Sequence, residues 1–148
     1  MRAIIVGCGR VGAELAKRLL SDGHHVTVVD LNQASFDRLG SDFAGEMVHG
    51  NALDEEVLRR AGIESADALC TVTPGDNRNL MIAQMAKDIF MVARVITRIY
   101  DPIREQVYHE LGLETYCSTT IGAGIIYDFF TTGTNRAHSE PTGTKATA

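Results

Sequence analysis

The sequence predicts an α/β protein: a Rossmann-like, doubly wound parallel sheet of six strands with helices on both faces. Three features carry that prediction. Six short apolar runs alternate with helix-patterned stretches along the 148 residues. The first two runs enclose Gly7-Cys8-Gly9-Arg10-Val11-Gly12, and the second closes on an acid, Asp30. Alternating strands and helices imply parallel pairing, because a crossover must carry the chain back before the next strand starts, and right-handed crossovers distribute the helices over both faces.

Each element follows from its local pattern. Residues 3–6 (AIIV) are an unbroken apolar run, as expected of a strand covered on both faces. Val11, Leu15 and Leu19 recur every four residues beside Ala16 and Leu20, making one apolar helical face, and Gly23 supplies the stop. The second strand occupies 25–29 (HVTVV) and ends at Asp30. Further strands are expected at 46–49, 68–72, 94–99 and 114–117, separated by helices at 33–39, 55–61, 77–89 and 102–111. Residues 120–130 (TIGAGIIYDFF) predict a last helix, weakened by two glycines. The domain is expected to span 1–132, and residues 133–148, rich in Thr, Gly and small polar side chains, to be a flexible polar tail or a truncated linker.

Composition narrows the function. The chain is 45% hydrophobic and 22% charged, and no apolar run nears the ~18 residues of a membrane-spanning helix, so direct membrane insertion is not expected. Met1 and Arg2 lead straight into the first strand, which leaves no room for a signal peptide and predicts a cytoplasmic protein. Three widely spaced cysteines, Cys8, Cys70 and Cys117, fit reduced thiols rather than a disulfide framework. A net charge of −5 without a basic stripe argues against nucleic acid.

The glycine motif gains weight from its setting: it follows a strand, opens a helix, and has Asp30 eighteen positions after Gly12. Gly7 permits the tight turn, Gly9 lets a pyrophosphate approach the backbone, and Gly12 lets the helix pack on the sheet. The amides and the positive dipole end of the helix favour phosphate. Asp30 can accept from both ribose hydroxyls of an adenosine and would repel a 2′-phosphate, which favours NAD(H) or ATP/ADP over NADP(H). The competing reading is a turn that needs glycine for packing, with Asp30 a loop acid. Asp76 and Asn79 fit the capped first turn of a helix, or a ligand or interface contact. Arg94 and Arg98 share a strand face, and Arg98, nearer the carboxyl end, is either a ligand contact or a solvated or salt-bridged arginine. Cys8 reads as a packing residue before a redox sensor, and His24 and His25 lack the companions of a metal site. No histidine lies in a catalytic pattern, and Lys17, Lys87 and Lys145 fall in two helices and the tail, so neither a catalytic nor a metal-binding residue is expected.

Beyond the fingerprint, three ordered blocks carry a resemblance: the glycine unit, "HGNALDEEVLRRAGIESADALCTVTPGDNRNLMIAQMAK", and "ARVITRIYDPIREQVYHELGLE". Over residues 1–125 the chain resembles the RCK N-terminal domain, also called the KTN or TrkA-N domain, of potassium channels and transporters. The resemblance implies that Gly7, Gly9 and Gly12, with Val11, cradle phosphates and that Arg10 reaches a terminal phosphate. It implies that Asp30 and Leu31 meet the ribose side, that Asn51 and Ala52 lie beside adenine, and that Thr73 and Arg98 line the crevice. The implied ligand is NAD(H) or ATP/ADP. The implied function is a nucleotide-sensing regulatory subunit, or a fragment of one, acting on a membrane potassium transporter or channel subunit. It would be a homodimer or higher homo-oligomer, cytoplasmic, and held at the inner face of the cell membrane through its transporter. The alternatives are an NAD-dependent oxidoreductase domain lacking its catalytic half, and a nucleotide-stabilised interaction module for another partner. The helix at 120–130 would contact a second copy or pack back on its own sheet.

Three departures stand out. Asn51 occupies a position the family often gives to Asp, and an amide both donates and accepts. Ser118-Thr119-Thr120 replaces a common Ser-Pro-Glu, which removes an acid and with it the expectation of magnesium. The family's smaller C-terminal domain has no counterpart here, so a lone module and a piece of a longer protein are both expected readings.

Overall fold

Ile4 and Val6 leave the first strand on one side and Ile5 on the other, and each side meets its own apolar layer. The computed structural model describes residues 1–135. Its strands are β1 (Arg2–Val6), β2 (His25–Asp30), β3 (Glu46–His49), β4 (Ala68–Thr71), β5 (Arg94–Ile99) and β6 (Glu114–Cys117). Its helices are α1 (Arg10–Ser21), α2 (Glu55–Arg60), α3 (Asp76–Gln84), α4 (Pro102–Glu110) and α5 (Ser118–Thr132). All strands are parallel, in the order β3-β2-β1-β4-β5-β6. The chain reverses its direction of travel across the sheet between β1 and β4, the place where such sheets open a crevice at their carboxyl ends.

One layer packs Ala13 and Ala16 of α1, with Phe36 and Leu39, against Ile5, Val26, Val28 and Cys70. The other packs Val57, Leu58, Ile63, Ile82 and Ala86 against Ile4, Val6, Val29 and Leu69. Fully burying each such Ile or Leu contributes roughly 1.5–3 kcal/mol. Helix starts are locally encoded: the Asp54 side chain accepts from the Glu56 amide at α2, and that of Asp101 accepts from the Ile103 amide at α4, where Pro102 opens the first turn.

Four expectations need amending. Residues Gln33–Leu39 form a 3-10 helix. Its two buried side chains, Phe36 and Leu39, are three apart, the spacing that a 3-10 helix stacks on one edge. The helix expected at 77–89 is α3 followed by a π turn, Met85–Ile89, and the turn into β5 places Met91 at φ 57°, the one non-glycine with positive φ among the described residues. The fourth strand stops at Thr71, one residue early, although Val72 still donates to the Val6 carbonyl. The last helix runs unbroken through Gly122 and Gly124 to Gly133, yet none of its residues is buried. The polar tail expected at 133–148 lies, past Asn135, outside the described residues.

Candidate nucleotide-binding site

The three glycines of the turn do different work. At Gly7, where φ is 110°, an added Cβ would stand 2.9 Å from the Val72 carbonyl carbon, and at Gly12 one would stand 1.9 Å from the Gly7 oxygen. No side chain fits at either place, so the turn lies flat on β4 and α1 lies flat on the turn. A Cβ at Gly9 would meet nothing within 4 Å. Gly9 therefore bounds open space, at the amino end of α1, and no side chain caps that end. Free amides, a positive dipole end and room for a ligand fit a phosphate group.

Asp30 ties this turn to the next. Its Oδ2 accepts from the Cys8 amide at 2.6 Å and its Oδ1 from the Asn32 amide at 2.7 Å. Each oxygen retains acceptor capacity for a ribose hydroxyl. The Cys8 thiol above it is pushed up to about 11 by burial and then by the Asp30 charge, and burial pushes Cys70 up to about 12, so both stay protonated near neutrality. Cys8, Cys70 and Cys117 are all unpaired and buried.

The cleft over the strand ends has a volume of about 610 Å³, and its walls carry four arginines, Arg10, Arg38, Arg78 and Arg98, against one carboxylate, Asp30. In a chain of net charge −5 this is a local reversal of sign. Arg10, Arg38 and Arg78 have no ion-pair or hydrogen-bond partner among the described residues. Arg98 is buried, with no acid beside it: its Nη2 donates to the Val72 and Thr73 carbonyls, and its guanidinium lies 4.7 Å from the Tyr100 ring centroid. It is thus neither solvated nor salt-bridged. Its Nε lacks a partner, as does the buried Oη of Tyr116, the residue facing it on β6. Burial raises the Tyr116 pKa, and the Arg98 charge opposes that rise.

Asn79 braces the floor. Wholly buried, it accepts from the Thr73 amide (2.9 Å) and hydroxyl (2.6 Å) and donates to the Thr73 and Arg98 carbonyls (2.9 and 3.1 Å). It is neither a cap nor a surface contact. Asp76 accepts from the Tyr100 and Asp101 amides, so it holds the turn after β5 rather than capping α3. Both roles differ from the expected first-turn capping, because the amides of the turn after β5 occupy Asp76 and the Thr73 and Arg98 backbone occupies Asn79.

Of the residues expected at the site, Gly7, Gly9, Arg10, Val11, Asp30, Leu31, Thr73 and Arg98 line the cleft. Asn51 and Ala52 line an adjoining recess of about 60 Å³ that shares Gly7, Asp30, Leu31 and Thr73 with it. The Asn51 Oδ1 accepts from the Leu53 amide, which leaves its side-chain amide nitrogen free. Gly12 lies beneath the turn and lines neither space. Arg38, Arg78 and Tyr100 also line the cleft and were not expected there. Only Arg78 left a trace in the sequence, as a cation in the first turn of a helix, where the dipole disfavours one. Among the described residues no His, Cys, Asp and Glu cluster could hold a metal ion, and no helix is long and apolar enough to cross a membrane.

A family model for the TrkA-N domain matches residues 3–119. The chain belongs to the TrkA-N domain family. Its similarity to the Trk system potassium uptake protein TrkA of Streptomyces coelicolor is 49% identity over 115 residues, covering 78% of this chain and 52% of that protein. The chain spans about half the length of the curated relatives it matches. Among solved structures, the TrkA-N domain of the Escherichia coli inner membrane protein ybaL aligns with a TM-score of 0.77 at 24% identity, over 86% of this chain and 95% of that one. The Shewanella denitrificans Kef C-terminal domain, in an AMP-bound form, aligns at 0.75 and 22%, over 90% and 83%. GsuK bound to ADP aligns at 0.73 and 20%, over 86% and 33%, and the GsuK channel bound to NAD at 0.65 and 18%, over 77% and 21%. At these identities the structures establish a shared TrkA-N fold.

Proposed function

We propose that this TrkA-N domain is the nucleotide-sensing part of a regulator of membrane potassium transport, binding NAD(H) or ATP/ADP and working as a homo-oligomer on a transporter or channel subunit. The observation that carries the reading is the cleft itself: four arginines, one carboxylate and an open, uncapped helix end at the switch point of the sheet, in an acidic chain. The potassium uptake protein in the comparison and the AMP, ADP and NAD complexes of its structural neighbours support it.

The residues would divide the work as follows. Gly9 and the α1 amides hold phosphate, Arg10 adds charge toward its distal end, Asp30 accepts from the ribose, and Asn51 with Ala52 borders the base. A bound nucleotide supplies anionic oxygens and a planar base, and nothing in the reading asks this domain to break a bond. Asp30 links the glycine turn to the turn after β2, and Asn79 links β4 and β5 to α3, so a ligand in the cleft meets two braced halves of the sheet. Regulation requires that it bind two arrangements of the assembled copies with different affinity.

Calorimetric titration with NADH, NAD, ATP and ADP tests the reading. We expect micromolar binding of at least one; four flat titrations would remove it.

A further inference from the structure

We propose that Arg78 covers the purine, laying a planar guanidinium against the base, so that it selects for the base rather than for the number of phosphates. The proposal rests on the adenine-nucleotide reading of the cleft. Arg78 lines both the main cleft and the small recess beside Asn51 and Ala52, whereas the phosphate-side residues Gly9 and Arg10 line the cleft alone. The recess floor is apolar, with Val29, Ala52 and Ile82, which suits a flat base and offers a phosphate nothing.

Two further observations need an explanation that helix stability does not provide. Arg78 is the third residue of α3, at the positive end of the helix dipole, where a cation opposes the helix. No acid forms an ion pair with it: Asp76 accepts from the Tyr100 and Asp101 amides, and Arg104 pairs with Asp101 and donates to Asn77. A guanidinium without a partner, at the mouth of an apolar slot, is suited to stack on an aromatic face, which a compact lysine ammonium does less well. Leu31, exposed and lining both spaces, gives the base an apolar second contact.

The test titrates the full chain, as wild type, Arg78→Lys and Arg78→Ala, with AMP and with ADP by calorimetry, recording each protein's melting temperature. Stacking predicts that both substitutions weaken binding about 3- to 10-fold, by the same factor for AMP as for ADP, without lowering the melting temperature. Recovery by Arg78→Lys to within about twofold of wild type, or a loss in Arg78→Ala that grows from AMP to ADP, would mean that the residue reads phosphate charge and would overturn the proposal. Unchanged affinity in both variants overturns it as well. A wild type that binds neither but binds ATP, NAD or NADH is carried through the same variants with that ligand; flat titrations with all five remove the underlying reading, a failure visible before any variant is made.

Discussion

At the scale of single residues, the glycines of the turn separate structure from ligand. Gly12→Ala must push a methyl group into the Gly7 carbonyl, so it should cost at least ~2 kcal/mol in denaturant titration. Gly9→Ala has room for its methyl and should leave stability within about 0.5 kcal/mol, while lowering nucleotide affinity tenfold or more by filling the phosphate's approach. The two buried thiols predict an alkaline limit. Their unfolded values lie near 9.0, so above that pH the unfolded chain ionises first, and each thiol withdraws about 1.4 kcal/mol of stability per pH unit. On their account stability is fully present below pH 9.0 and falls until about 11 for Cys8 and about 12 for Cys70. Urea midpoints measured in reductant on either side of pH 9 should reveal the decline.

At the scale of elements, what the sequence disclosed and what it concealed have different physical origins. The strands were legible because a strand buried on both faces is apolar along nearly its whole length, as residues 3–6 are throughout and residues 25–29 are apart from His25 and Thr27. The glycine turn was legible because steric demands there leave one residue type at Gly7 and Gly12. Asn79 was misread because a polar residue in a first helical turn ordinarily faces solvent, and nothing local announces a partner on β5. Arg38 and Arg78 were missed for the same reason: forty residues apart in sequence, they meet only once β2 and β4 flank β1. Periodicity reports which face of an element is apolar, and is silent on which distant loops share a rim. The Asn79 network makes a sharp prediction. Asn79→Asp keeps the shape but replaces the amide that donates to the Thr73 and Arg98 carbonyls with an acceptor, and should cost roughly 3 kcal/mol or more by thermal or chemical denaturation.

At the scale of the whole molecule, α5 is held to the domain by little more than the Thr119 hydroxyl on the Tyr100 carbonyl. It buries no residue, and Ile126 and Phe130 are 57% and 81% exposed. A helix apolar on every side is expected to be covered in the working protein. The proposed homo-oligomer supplies such cover, so Phe130→Asp combined with Ile126→Glu should shift sedimentation velocity toward the monomer while leaving nucleotide affinity within about twofold. The cleft, in contrast, draws on both ends of the domain, since β1 and β4 are neighbours in the sheet although most of two α/β units separate them along the chain. A polypeptide cut open between β3 and β4 would keep every glycine of the fingerprint on one piece and the buried guanidinium of Arg98 on the other. Neither piece alone would have anything to close around a ligand, and only their reassociation would restore the site.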